Sequence, residues 1–405
     1  MENDQRGCRP RQDHGLYDPR DERDACGFGL IAHLDDKPGA GLVKQALDAL
    51  ARMAHRGGVA ADGLSGDGCG LLMKTPDAFL RALAAESGIA LGQRYASGIV
   101  FMPHGDDASA RVHSTFSQAL REVGLAVSGW RKVPTDASIC GELAKATMPA
   151  IEQLFVVPVL DVEGARMTPE AFAHALYLAR RRAEQRLRDL PGLHVVSLSA
   201  SSIGYKGMVL PQFLPQLYPD LQRPELASSA VVFHQRFSTN TSPRWPLAQP
   251  FRLLAHNGEI NTIAGNRIWA QARAHVWGTD TLDPSEFDPV IEMDGSDSQS
   301  LDSMLELLQA GGMDLLKALR ILIPPATQSL EYKDADLLAF YEYYAINSEP
   351  WDGPAGIVAF DGRYAACTVD RNGLRPARWQ LSDERVFMIA SEAGVWDLDT
   401  AHILA

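Results

Sequence analysis

The chain has 405 residues, of which 46% are hydrophobic and 22% are charged, which is ordinary for a folded protein with a large core. Its net charge of −13, without runs of lysine or arginine, argues against nucleic acid or an anionic membrane as a partner. No apolar run reaches the roughly 18 residues of a membrane-spanning helix, and the five scattered cysteines form no CxxC pair or Cys/His cluster. We therefore expect no membrane span, no disulfide framework and no metal site, in a cytoplasmic protein with reduced thiols.

Residues 1–25 form a polar leader that contains Pro10, Pro19 and many charged residues. This polar composition predicts a loosely structured segment. The leader also lacks the apolar segment of a secretory signal, so we do not expect it to be one. The pattern changes at Cys26, where the sequence CGFGLIAHL predicts a strand at 26–34. The sequence thus predicts a leader at 1–25 and one domain at 26–405.

Strand and helix patterns follow one another irregularly along this domain. A predicted helix at 41–56 ends at Gly57 and Gly58, and a later one begins with Thr168 as its N-cap and Pro169 in its first turn. Further strands are predicted at 95–103, 125–133, 151–160, 193–201, 229–238 and 251–260, and helices at 76–88, 106–124, 168–190, 300–312 and 313–323. The tail at 355–381 has the pattern of strands joined by Asp-Gly and Asn-Gly turns. Because several strands follow one another directly, we expect a layered α+β architecture rather than a doubly wound sheet.

The glycine-rich segment GLSGDGCG at 63–70 raises the question of a phosphate-binding loop. It lacks the spacing of a dinucleotide-binding loop, and it does not follow a strand and open a helix. We therefore predict a tight turn here, leading into a buried strand at 66–73.

Arg236 lies in the segment FHQRFSTNT on a predicted strand among apolar and hydroxyl residues. A guanidinium in such surroundings needs an anion, because an unpaired buried charge is very costly. The planar fork of arginine suits a carboxylate, which a ligand or a structural salt bridge could supply. Both interpretations remain open from the sequence.

Two further segments carry groups that could contact a substrate. Asn257 and Gly258 form an Asn-Gly pair, which is typical of a hairpin turn but also offers two adjacent N–H donors for an oxyanion. Asp297 lies in the sequence DGSDSQS at a predicted helix start, where Ser296, Asp297 or Ser298 can serve as a cap. An aspartate at this junction could also accept a hydrogen bond from an ammonium group.

Arg236 and Asp297 would hold an α-amino acid by its carboxylate and ammonium groups. The thiol of Cys26 could then attack the side-chain amide, with Asn257 and Gly258 as donors to the oxyanion. The thiol of Cys26 still needs a base, and spacing alone shows no cysteine–histidine pair. If the Ala25–Cys26 bond were cut, the new α-amino group could be that base, since its reference pKa is about 7.7–8.0. The leader would then block the amine until it is removed.

Several segments together resemble a known family. They are CGFGLIAH, ARMAHRGG, SGDGCGLL, YKGM, the thirty-residue block at 233–262, GSDSQSLDSMLELL, EPWDGPAGIV and DRNGLRPAR. From about residue 16 onward, the chain is similar to the N-terminal glutaminase domain of the bacterial glutamate synthase large subunit, a class II glutamine amidotransferase of the Ntn-hydrolase type.

The resemblance implies a fold and a set of roles. The fold is a four-layer αββα sandwich with two stacked, mainly antiparallel sheets. Cys26 corresponds to the N-terminal nucleophile, and Asn257 with Gly258 to the oxyanion hole. Arg236 corresponds to the arginine that binds the glutamine α-carboxylate, and Asp297 to the aspartate near its ammonium group. His55 and Arg56 resemble the glutamine-site loop of the class.

The resemblance also implies partners that these residues do not supply. In the family, FMN, an iron–sulfur cluster and NAD(P)H act in further synthase domains and in a small flavoprotein subunit, and ammonia from L-glutamine aminates 2-oxoglutarate. We expect no cofactor in this chain. The alternatives are an Ntn amidohydrolase with a different amide substrate, which would not need Arg236, and a glutamine-binding module without catalysis.

Overall fold

The computed structural model describes residues 26–159, 167–236, 242–326, 334–397 and 400–405. The predicted leader at 1–25 lies outside the described residues, as does the part of the FHQRFSTNT segment at 237–241. Within the described residues, no helix is long and apolar enough to cross a membrane.

Within the part of the chain that the structure describes, the strands form three antiparallel sheets. A six-stranded sheet has the order β12-β13-β1-β8-β2-β7, a three-stranded sheet the order β11-β10-β9, and a four-stranded sheet the order β4-β5-β3-β6. The strands are β1 Gly27–His33, β2 Ser65–Lys74, β3 Ala96–Met102, β4 Leu125–Lys132, β5 Ala150–Pro158, β6 His194–Val195, β7 Ser202–Val209, β8 Ala230–Gln235, β9 Leu254–Gly258, β10 Ala355–Phe360, β11 Ala365–Val369, β12 Arg378–Leu381 and β13 Val386–Ala390.

The helices flank these sheets. They are α1 Ala40–Arg52, α2 Asp77–Glu86, α3 Asp106–Arg121, α4 Glu142–Ala146, α5 Pro169–Arg186, α6 Leu214–Leu217, α7 Ile263–Ala272, α8 Asp297–Ala310, α9 Leu315–Leu322 and α10 Ala335–Asn347. Thr168 caps α5 as predicted, because its hydroxyl accepts a hydrogen bond from the Ala171 amide at 3.2 Å.

Three apolar cores stack the main layers. Helix α1 covers one face of the six-stranded sheet, and its Leu50 packs in one core with Ile31 of β1. The opposite face packs against the three-stranded sheet through a second core that joins Phe28 to Val358. Beyond the three-stranded sheet, α8 and α9 close a third core. This helix–sheet–sheet–helix order confirms the α+β sandwich, and the four-stranded sheet with α3 and α5 is an addition that the sequence did not predict.

The turn interpretation of two segments needs correction. The strand predicted at 66–73 is present within β2, but the turn before it does not extend into its glycines, because a Cβ on Gly66 would stand 2.4 Å from the Val209 carbonyl oxygen. These glycines therefore allow close strand packing rather than a turn. Asn257 and Gly258 are the last residues of β9 and not a hairpin tip. The sequence also missed β7, β13, α7 and α10, and only two residues of the strand predicted at 193–201 form β6.

Candidate functional site

The site lies where the start of β1 meets the end of β9, between the two stacked sheets. Cys26 directly precedes β1 and is 4% exposed. The side-chain amide of Asn257 donates a hydrogen bond to the Cys26 carbonyl oxygen at 2.7 Å. The structure thus joins the predicted nucleophile and the predicted oxyanion donor, which are 231 positions apart in the sequence.

Gly258 ends β9 with a φ of +139°, in the region that favours glycine. A Cβ at this position would stand 1.8 Å from the Pro354 carbonyl oxygen, so a larger residue would displace the backbone. The second predicted oxyanion residue is therefore held by the pairing of β9 with β10, in which Gly258 faces Ala355.

Arg236 follows β8 with a φ of +88°, an unusual value for a residue other than glycine. Its amide donates to the Gly68 carbonyl oxygen at 2.7 Å, and its Nε lies 3.6 Å from the Asp67 carboxylate. Asp67 also accepts a hydrogen bond from the Gly58 amide at 2.8 Å. The structural interpretation of Arg236 is supported by its contact with the Asp67 carboxylate. The ligand-binding interpretation stays open, because Arg236 also lies close enough to Cys26 to lower the pKa of that thiol.

Asp297 is the first residue of α8, whose N-cap is Ser296. One oxygen of its buried carboxylate accepts a hydrogen bond from the Ile260 amide at 2.8 Å, and the other accepts from the Ser298 amide at 2.8 Å. Ser298 also bonds to His256 Nδ1 at 2.8 Å, and burial lowers the pKa of that histidine. Because Ser296 provides the cap, the Asp297 carboxylate is available to link α8 to the chain that leaves β9.

His55 and Arg56 lie on a single 3₁₀ turn after α1. Arg56 packs beside Gly27, but its Nε donates to the Glu392 carboxylate at 3.0 Å, and His55 contacts the same carboxylate at 3.0 Å. Burial alone would raise the pKa of Glu392, yet the bonds from Arg56 and His55 outweigh it and the net pKa is lowered. The structure thus places Arg56 next to Gly27, which follows the predicted nucleophile, while its role in substrate binding stays a prediction.

Cys26 is surrounded by charges of both signs. Burial raises the pKa of its thiol to about 12, and Arg236 and Arg375 oppose that increase, while Asp67 and Asp297 add to it. A thiol in this environment is protonated at neutral pH, so attack on an amide requires a base that takes its proton.

The comparison with protein families decides the assignment. A model of the class II glutamine amidotransferases matches residues 26–405, so the match begins at the buried cysteine. The chain belongs to the class II glutamine amidotransferases.

Curated relatives of this amidotransferase are glutamate synthases. It is 40% identical over 398 residues to the ferredoxin-dependent glutamate synthase of Oryza sativa, covering 95% of this chain and 24% of that protein. It is 41% identical over 391 residues to ferredoxin-dependent glutamate synthase 2 of Synechocystis, covering 95% and 25%. It is 36% identical over 393 residues to the glutamate synthase [NADPH] large chain of Bacillus subtilis, covering 96% and 26%. The chain therefore spans about a quarter of the length of these relatives.

A solved structure, the glutamine phosphoribosylpyrophosphate amidotransferase of B. subtilis with ADP and GMP, is similar over 94% of this chain and 44% of that one. The TM-score is 0.37 and the sequence identity 11%, so this likeness carries no weight for the site of the present amidotransferase.

The sequence missed three charged residues of this amidotransferase site. Asp67 was assigned to a turn, Glu392 drew no attention, and Arg375 entered only through the segment DRNGLRPAR. Asp67 did carry one signal. It lies among glycines in a segment that also has the pattern of a buried strand, and a buried carboxylate needs a cation as its partner. Glu392 gave no comparable signal, because its partner Arg56 is 336 positions away.

Proposed function

We propose that this amidotransferase hydrolyses the side-chain amide of L-glutamine through a thioester on Cys26, after the Ala25–Cys26 bond is cleaved. The observation that carries the proposal is the 2.7 Å hydrogen bond from the Asn257 amide to the Cys26 carbonyl oxygen, which puts a strong donor beside the nucleophile. The family match, which starts at Cys26, supports the same first residue for the mature domain.

In the proposed reaction, the free α-amine of Cys26 takes the thiol proton, and the thiolate attacks the γ-carboxamide carbon of glutamine. Asn257 and Gly258 donate to the oxyanion that forms. The C–N bond then breaks, and the α-ammonium group returns its proton to the departing ammonia. Water hydrolyses the γ-glutamyl thioester, which releases glutamate and restores the thiol.

The two ends of the substrate backbone have matching charges in the site. We assign the glutamine α-carboxylate to Arg236 and its ammonium group to Asp297. The planar guanidinium suits a carboxylate, and the Asp67 carboxylate, 3.6 Å from the Arg236 Nε, holds it near Cys26. His55 and Arg56 would border the site through the turn that Glu392 anchors.

For the whole protein, we propose that ammonia released here aminates 2-oxoglutarate in a glutamate synthase of the cytoplasm. The relatives' names give ferredoxin and NADPH as electron donors. FMN, an iron–sulfur cluster and NAD(P)H would act in synthase domains and a flavoprotein subunit outside this chain. The described residues contain no group of three or more His, Cys, Asp or Glu side chains that could hold a metal ion, so they do not fit such a cluster.

The test is the intact mass of the purified chain together with glutamate release from glutamine. We expect loss of the 25 leader residues and glutamate release that Cys26→Ala abolishes. Cys367→Ala is the matched control, because it removes a half-buried cysteine on β11 and should leave turnover intact. Full activity in Cys26→Ala, or a different first residue in active material, would refute the proposal.

A further inference from the structure

Arg375 lies in the loop between β11 and β12, and Asp370 builds this loop. The Asp370 carboxylate accepts hydrogen bonds from the amides of Asn372, Leu374 and Ala355 at 2.9, 3.0 and 3.0 Å. The direction in which Arg375 leaves the loop is therefore set by three backbone contacts to one buried side chain.

The guanidinium of Arg375 has no anionic partner within the described residues. The side chain is half-buried, its Nε is inaccessible to solvent, and it makes no hydrogen bond or ion pair there. Arginine stays charged under all ordinary conditions, and a partly desolvated charge without a partner is costly. An arginine placed in this way points to negative charge that arises nearby during function.

That negative charge can arise on Cys26. Gly356 faces Asn257 in the β9–β10 pair, and a Cβ on Gly356 would stand 2.8 Å from the Phe28 ring and 3.5 Å from the Arg375 Cβ. The absence of a side chain at 356 thus lets Arg375 approach the strand pair that carries the oxyanion donor. Arg375 lowers the pKa of the Cys26 thiol.

The charged groups around the Cys26 thiol show what the positive charge of Arg375 adds. Arg236 from the end of β8 and Asp67 from β2 form one pair, and Asp297 from α8 adds a second negative charge. Glutamine binds as a zwitterion and adds no net charge. Moving the thiol proton to the α-amine adds one positive and one negative charge. The four charged groups that act on the Cys26 thiol therefore sum to −1 without Arg375 and to zero with it.

Arg56 does not fill this role, because Glu392 already neutralises it. His256, another titratable group that Arg375 affects, is buried and has a lowered pKa. We propose that Arg375 is a positioning residue that stabilises negative charge on the Cys26 sulfur, by its field rather than by binding the substrate carboxylate. Its value for turnover rests on the glutaminase function proposed above.

The experiment measures how fast iodoacetamide alkylates Cys26 in the processed chain as a function of pH, by mass spectrometry of the peptide that begins at Cys26. Arg375→Gln and Arg375→Met both remove the charge, and the second keeps an apolar stem. Arg375→Lys keeps the charge. Arg378→Gln is the matched control, because Arg378 is an exposed arginine three residues further along the same segment. Thermal unfolding identifies the variants that fold.

We expect both neutral variants to move the alkylation profile to higher pH and to lower the rate at pH 7 on the order of tenfold, the equivalent of one pKa unit. For glutamine, kcat should fall with little change in KM, Arg375→Lys should retain most activity, and Arg378→Gln should match the wild type. An unshifted profile in a folded neutral variant overturns the proposal, as does a raised KM with unchanged kcat. If the wild-type chain releases no glutamate, the glutaminase proposal fails, while the alkylation profile still decides the role of Arg375.

Discussion

Cys26 and Cys69 are two buried cysteines whose surroundings differ in charge and hydrogen bonding. Both thiols are almost completely buried, and burial raises the pKa of both. Cys69 lies in β2 within the helix-facing core, where its thiol donates to the Val209 carbonyl oxygen at 3.4 Å. Cys26 lies where the two sheets meet, and two arginines oppose the effect of burial on its pKa. The difference lies in the neighbouring charges and donors, which suit one thiol to the chemistry proposed above and the other to packing.

The regions also differ in how they treat a buried cation. In the region of β2 and β7, Lys206 on β7 is registered with Gly70 of β2, is 1% exposed and bonds to the Pro246 carbonyl oxygen at 2.6 Å. Burial, with Arg252 adding to the effect, lowers the pKa of Lys206 to about 7. At the Cys26 end, Arg236 has the Asp67 carboxylate instead. The positive charge of Arg236 is thus compensated by a carboxylate, whereas Lys206 loses part of its positive charge near neutral pH because it is buried.

The largest expected effect removes the donor that sets the Cys26 region apart. Asn257→Ala should lower kcat for glutamine by roughly 10²–10³, the usual cost of losing one oxyanion donor. The matched control is Asn266→Ala, which removes an equally buried asparagine whose bonds to Thr262 and Pro350 are structural. Steady-state kinetics and thermal unfolding should show lost turnover for the first and lost stability for the second. A kcat for Asn257→Ala within threefold of the wild type would contradict the assignment.

A smaller effect tests the buried cation. Because the folded chain releases the Lys206 proton near pH 7 while an unfolded lysine keeps it to about 10.5, the unfolded state binds more protons in this interval. The free energy of unfolding should therefore rise with pH, by roughly 2 kcal/mol between pH 7 and 9. Urea denaturation should show this rise in the wild type and its loss in Lys206→Met. The exposed Lys44→Met is the control, and identical pH dependence in both variants would count against the lowered pKa.

The smallest expected effect concerns Cys69, whose thiol takes no part in the proposed reaction. Cys69→Ala should lower the free energy of unfolding by about 1–2 kcal/mol, because it leaves a small cavity in the core. Glutamate release should stay within about twofold of the wild type, since no step proposed above uses this sulfur. A large loss of turnover in a stable Cys69→Ala protein would show that the two regions are not separate.

The sequence predicted the features that depend on residues close to one another in the chain. The strand after Cys26 and the Thr168 cap of α5 are both present, because periodicity and capping involve residues close in sequence. The sequence also narrowed the start of α8 to three residues, and the structure shows that Ser296 is its cap. The family resemblance and the sandwich fold are likewise confirmed.

Long-range pairing and glycine geometry were not predictable. A glycine such as Gly66 can mark either a turn or a close approach between strands, and only the position of Val209 distinguishes the two. The ion pair of Arg56 with Glu392 spans 336 positions, and no spacing rule reaches that far. Arg375 has no anionic partner among the residues that the structure describes, and a sequence alone cannot show this property of the folded chain.

Asn257 and the amide of Ile260, which holds Asp297, are only three positions apart on one stretch of backbone. The pairing of β9 with β10 keeps that stretch rigid on the Asn257 side, and Gly258 fits tightly against Pro354. In the proposed glutaminase, the backbone from Asn257 to Ile260 therefore fixes how far the reacting amide lies from the carboxylate assigned to the substrate ammonium group. The same stretch of backbone would then set the side-chain length that the site accepts.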